Sequence, residues 1–174
     1  FDISTMPDGG LYCMIGDNSH CSVGATFAML FNKDMCTSLG IEMPYQYVKD
    51  GTWTLDAMME CARLALSDTT GDGKITAEDT VGMMYEVLTP EALVMGAGHH
   101  YVQNIGGKLT AMLEDQELVT LLQKLSDFLQ EDCVVRDGHG SKFDAELSIN
   151  NGTFLFYNPC TFNLAGLRDL PYDY

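Results

Sequence analysis

Apolar residues along the chain switch between two spacings. ATFAMLFN (25–32) and TFLFYN (153–158) are continuous apolar runs of the kind buried on both faces of a sheet, and VGMMYEVL (81–88) reads as a third strand. LDAMMECARLAL has helical spacing instead, with Leu55, Met58, Met59, Ala62 and Leu66 on one stripe and Thr54 as its cap. EDQELVTLLQKLSDFLQ (114–130) is the clearest helix, placing Leu118, Leu121, Leu122, Leu125 and Leu129 on one face behind an acidic start.

Shorter signals fill the gaps. Asn32 caps a helix over KDMCTSL that Gly40 ends, and FDAELSIN (143–150) predicts another short helix. GGLYCMI (9–15) reads as a turn and a short strand, and PEALVMGAG as a short helix or turn. The Gly-Gly pair in GHHYVQNIGGKLTAML predicts a hairpin. EMPYQYVKDG, bounded by Pro and Gly, reads as an irregular connection. Strands alternating with helices predict one α/β domain over 1–174 with a mixed sheet flanked by helices. Its expected core holds Phe31, Leu64, Leu118, Leu122, Leu125, Phe154 and Phe156.

With 174 residues, 46% of them hydrophobic, the chain has material for one core. A net charge of -16 argues against nucleic acid, whose phosphates are held by Lys and Arg, and against an anionic membrane surface. No run of about twenty apolar residues is present, so no bilayer-spanning segment is expected. The start at FDIST and the end at LPYDY read as boundaries inside a longer protein. Six cysteines (Cys13, Cys21, Cys36, Cys61, Cys133, Cys160) include no CxxC pair, which argues against a zinc cluster and leaves buried thiols or disulfides open.

DTTGDGKITAED (68–79) carries candidate chemistry. Calcium takes oxygen ligands at about 2.3–2.6 Å, and a twelve-residue loop supplies them from positions 1, 3, 5, 7, 9 and 12. Here those are Asp68, Thr70, Asp72, the Lys74 carbonyl, Thr76 and Asp79, with Gly73 at the sharp turn and Ile75 as an inward anchor. The same residues also suit an acidic surface turn. VGMMYEVL follows the loop, so a calcium staple is expected rather than a two-helix EF-hand. His99 and His100 are adjacent and would point to opposite faces of a strand, so a shared metal is not expected. No nucleophile elbow, P-loop or dinucleotide fingerprint is present, and no enzymatic constellation is read.

Taken in order, GGLYCMIGD, ATFAMLFNKDMCTSLG, the Gly51-Thr52-Trp53-Thr54 helix start, the Asp68 to Gly82 insertion, and Phe143, Gly152, Leu155, Phe156, Leu167, Arg168 and Asp169 near the end resemble the extracellular solute-binding proteins of sugar-type ABC importers. The resemblance runs through nearly the whole chain. It implies the second lobe of a two-lobe clamshell, held at the outer face of a bacterial membrane by a lipid anchor on the full-length protein. Such a protein would capture a small polar solute, an oligosaccharide foremost, and hand it to permease subunits. Ligand contacts are then expected from Glu86 and Thr89 after one strand, and from Tyr157, Asn158, Thr161 and Phe162 after another. The alternative is a calcium-dependent carbohydrate-active or adhesion and docking module.

Overall fold

The computed structural model describes residues 5–12, 26–137, 143–159 and 168–174. Its main sheet has four strands, β1 (Leu30–Phe31), β2 (Val81–Tyr85), β5 (Val134–Arg136) and β6 (Phe154–Asn158), in the order β1-β6-β2-β5. β6, β2 and β5 run parallel, with Met83 beside both Phe156 and Val134, while β1 closes one edge antiparallel to β6. A separate hairpin pairs β3 (Val102–Ile105) with β4 (Lys108–Ala111). The helices are α1 (Lys33–Leu39), α2 (Pro44–Asp50), α3 (Leu55–Ala65), α4 (Thr89–Gly96), α5 (Gln116–Phe128) and α6 (Ala145–Asn151). The chain is therefore α/β, with a mixed sheet flanked by helices.

Successive strand residues face opposite ways, and at Met83–Met84 and Phe156–Tyr157 the sheet divides the core accordingly. Met83 and Phe156 join the larger cluster with Met58, Met59, Ala62, Leu118, Leu125 and Phe128 from α3 and α5. Met84 and Tyr157 join the smaller one, with Phe154 and Ala145 of α6. β2 is buried along most of its length, as a strand covered on both faces should be. At Gly82 the sheet and α3 come so close that an added Cβ would lie 2.0 Å from the Ala62 carbonyl oxygen.

The caps were readable from local residue types. The Asn32 side chain accepts from the Met35 amide and Gly40 takes φ 67°, bounding α1 where expected. Asn32 also donates from Nδ2 to the Gly152 carbonyl, tying the start of α1 to the end of α6. Thr54 caps α3 and Asp115 caps α5.

Four expectations need correction. EMPYQYVKDG is largely helical, because Pro44 stands in the first turn, where its missing N–H costs nothing, and Gly51 ends α2 at φ 68°. Among the described residues of the 25–32 run only Leu30–Phe31 form a strand; Asn32 still donates its amide to the Leu155 carbonyl of β6 while its side chain caps α1. Leu64 is 68% exposed, because Met58, Cys61, Ala62 and Ala65 set the phase of α3 and turn Leu64 outward. Strand β5 was not anticipated: VVR is too short to show a period. The other expected core residues are buried, apart from Leu122, which packs half-buried against the larger cluster.

Candidate ligand-binding edge and the acidic loop

Three parallel strands end together at one edge of the sheet, the position where open α/β sheets receive ligands. Tyr85 pairs with both Arg136 and Asn158, so the residues that follow gather there. Glu86 leaves β2, Asp137 leaves β5, and Tyr157 and Asn158 end β6. The Asp137 amide donates to the Tyr85 carbonyl at 2.8 Å, extending the β2–β5 ladder by one bond.

Tyr157 is 3% exposed, yet its hydroxyl reaches both acids, 2.9 Å from Asp137 Oδ2 and 3.1 Å from Glu86 Oε1. One phenolic proton serves two carboxyl groups. Burial, followed by the negative charge of Asp137, holds the Tyr157 hydroxyl far above its usual range, so it stays protonated. Buried Thr89 fixes the turn into α4: its Oγ accepts from the Glu86 amide and donates to the Asn158 carbonyl. Asn158 in turn donates from Nδ2 to the Ala28 carbonyl at 3.0 Å.

Beside this edge lies a cavity of about 420 Å³, bounded by the start of α3, by α4 and by the chain entering β1. Met29, Trp53, Leu55, Met58 and Leu93 give it an apolar lining, with Asn158 among its few polar groups. Trp53 is held by the edge of Phe156, ring centroids 5.8 Å apart, and by Tyr47 at 5.9 Å. Trp53 packs against the larger core cluster and also walls the cavity.

The 68–79 loop is pinned at its base by paired backbone bonds between Ser67 and Thr80. Ile75 packs inward against the smaller core cluster, as its place in the loop implied. Asp68 accepts from the amides of Gly71 and Gly73 and from the Thr70 hydroxyl, and Asp72 accepts from the Lys74 amide. Asp79 is buried and accepts from the amides of Thr70 and Thr76 and from the hydroxyls of Thr69 and Thr76. These donors hold Asp79 well below the usual carboxylate range, with the Thr70 amide the largest cause, and Asp68 is lowered by its own donors, the Gly73 amide foremost.

Four donors use nearly all the lone pairs of one carboxylate, so Asp79 could ligate a cation only by exchanging some of them. Among the described residues, no three His, Cys, Asp or Glu side chains converge as a metal-binding group.

Of the ligand residues expected from sequence, the fold brings Glu86, Thr89, Tyr157 and Asn158 together, while Thr161 and Phe162 lie outside the described residues. Asp137 and Trp53 were missed as members of the site. Recognising a third parallel strand would have exposed Asp137, since it directly follows β5. No protein-family model matches the chain, and no curated protein matches it.

Proposed function

We propose that this chain is one lobe of a two-lobe capture protein that takes a small polar solute, an oligosaccharide foremost, between its lobes for delivery to a membrane permease. The supporting observation is the convergence of Glu86, Asp137 and the Tyr157 hydroxyl at the carboxyl edge of three parallel strands. Carboxylate oxygens accept hydrogen bonds, and sugar hydroxyls are donors of the kind they accept. Binding rather than turnover is the reading adopted, on the convergence of hydrogen-bonding groups at the sheet edge. Location at the outer face of a bacterial membrane belongs to the same proposal. Among the described residues, no helix is long and apolar enough to cross a membrane.

Calcium on the 68–79 loop would be structural. Asp68, Asp72, Thr70, Thr76 and the Lys74 carbonyl would hold it, and Asp79 would trade some of its internal donors for the ion. Its chemistry there would be charge neutralisation of a loop already closed by its own hydrogen bonds.

A screen of saccharides against peptides on the intact two-lobe protein tests the function. A saccharide should bind at micromolar concentrations or better, and Glu86→Gln or Asp137→Asn should each weaken it about tenfold, the loss of one charged hydrogen bond. The 174-residue lobe alone should bind no better than at about millimolar concentrations, because it makes half the contacts at much of the same entropic cost. Equal affinity for both proteins, or turnover of a glycoside abolished by one carboxylate substitution, would overturn the reading.

A further inference from the structure

The sequence resemblance implied a ligand contact from Thr89, but its surroundings give it a different task. Thr89 is 0% exposed, so a solute at the sheet edge does not reach it. Its hydroxyl donates to the Asn158 carbonyl at 3.2 Å and accepts from the Glu86 amide at 3.0 Å. A threonine hydroxyl has one proton, and that proton is already engaged.

We propose that Thr89 is a positioning residue of the carboxyl edge, holding Glu86 against the Tyr157 hydroxyl without touching the solute. The inference rests on the reading of that edge as a solute site.

Glu86 and Thr89 close a turn in both directions, since the Thr89 amide also donates to the Glu86 carbonyl at 3.0 Å. Val87 and Leu88 between them are 63% and 52% exposed, so these bonds hold the turn and burial of its tip does not. Leu88, at the cap position of α4, makes no side-chain bond, and Thr89 orders this corner from inside. The other end of the link falls beside the phenol, because Asn158 follows Tyr157 on β6. One hydroxyl thus ties the exit of β2 to the end of β6, across 69 residues of sequence. Glu86 Oε1 and the Tyr157 hydroxyl, 3.1 Å apart, keep that spacing before a solute arrives. A carboxylate placed in advance loses little freedom on binding, so the link favours affinity. Serine at this position would keep both bonds, whereas valine, of nearly the same shape, would remove both.

Tyrosines labelled with carbon-13 at Cζ give one signal for each of the eight, and Tyr157→Phe identifies the one at this edge. Cζ carries the hydroxyl, so its chemical shift follows the hydrogen bonds that the hydroxyl makes. In the 174-residue protein, Glu86→Ala should move the Tyr157 signal by removing its partner. Thr89→Val and Thr89→Ala should move it in the same direction, and Thr89→Val combined with Glu86→Ala should move it no further than Glu86→Ala alone. Thr89→Ser should keep the parent signal even though losing a buried methyl lowers its Tm, a separation that a merely structural role would not produce. An unmoved signal in Glu86→Ala, in Thr89→Val or in Thr89→Ala would overturn the proposal, as would a moved one in Thr89→Ser or additive shifts in the double variant. Loss of the parent's far-ultraviolet circular dichroism in both Thr89→Val and Thr89→Ala would overturn it too, since the role would then be in folding. The Tyr157 signal needs no solute, so saccharide binding by the intact protein, with its response to Glu86→Gln, reports separately on the function.

Discussion

Gly82 sits where β2 passes under α3, and replacing it with alanine tests the packing directly. A Cβ there would lie 2.0 Å from the Ala62 carbonyl oxygen, 2.5 Å from its carbon and 2.7 Å from its Cα. All three are backbone atoms of a regular helix, so no rotamer change relieves the clash. The helix must withdraw from the sheet by at least about 1 Å. That opens the layer formed by Met58, Met59 and Ala62 against Met83, each no more than 2% exposed. Overpacking a core costs about 1–3 kcal/mol where side chains can adjust, and the upper end applies here because none can. Relief from the glycine's unfolded-state entropy returns up to about 1 kcal/mol. A net loss of about 2–3 kcal/mol lowers Tm by roughly 4–12 °C for a chain of this size.

Gly96, at the end of α4, provides the matched comparison. Its Cβ would meet nothing within 4 Å and its φ is not positive, so alanine should be neutral or stabilise by up to about 1 kcal/mol. Thermal and urea unfolding of both variants, followed by circular dichroism, makes the comparison. A Gly82→Ala protein as stable as the parent, or equal losses from both substitutions, would refute the close approach of α3 to the sheet.

Three further outcomes are expected. Asp79 has a lowered folded-state pKa, so its contribution to stability is present above the ordinary carboxylate value near 3.8 and is lost as pH falls toward its folded-state value. An acid titration of Tm should therefore fall more steeply below about pH 4 for the parent than for Asp79→Asn. Cys36, Cys61 and Cys133 are buried free thiols, and burial raises all three, Cys36 and Cys133 to about 11. Mass-spectrometric mapping after iodoacetamide at pH 8 should find those three unmodified in the native protein and modified in urea; native labelling would refute their placement. Calorimetry of the chelator-stripped protein with millimolar calcium should give heat and a raised Tm, both lost in Asp68→Asn. No response would leave the loop held by its own hydrogen bonds to Asp68, Asp72 and Asp79.

What the sequence determined was local. Asn32, Thr54, Gly40 and the leucine face of α5 act within one or two helical turns, where residue type and spacing set the hydrogen bonds. The acidic loop was legible for the same reason, since Asp68 and Asp79 bond amides only a few residues away. Pro44 and Gly51 were misread because the residues that break structure also begin and end a short helix. Leu64 was misplaced although the stripe of Leu55, Met58, Met59, Ala62 and Leu66 already puts it on the opposite face of α3. The site itself was decided by tertiary structure. Asp137 and Tyr157 are 20 residues apart, Glu86 and Tyr157 are 71 apart, and Asn158 and Ala28 are 130 apart. These groups meet only because parallel pairing brings the ends of β2, β5 and β6 to one edge, and strand register is a property of the whole sheet, which no local pattern encodes.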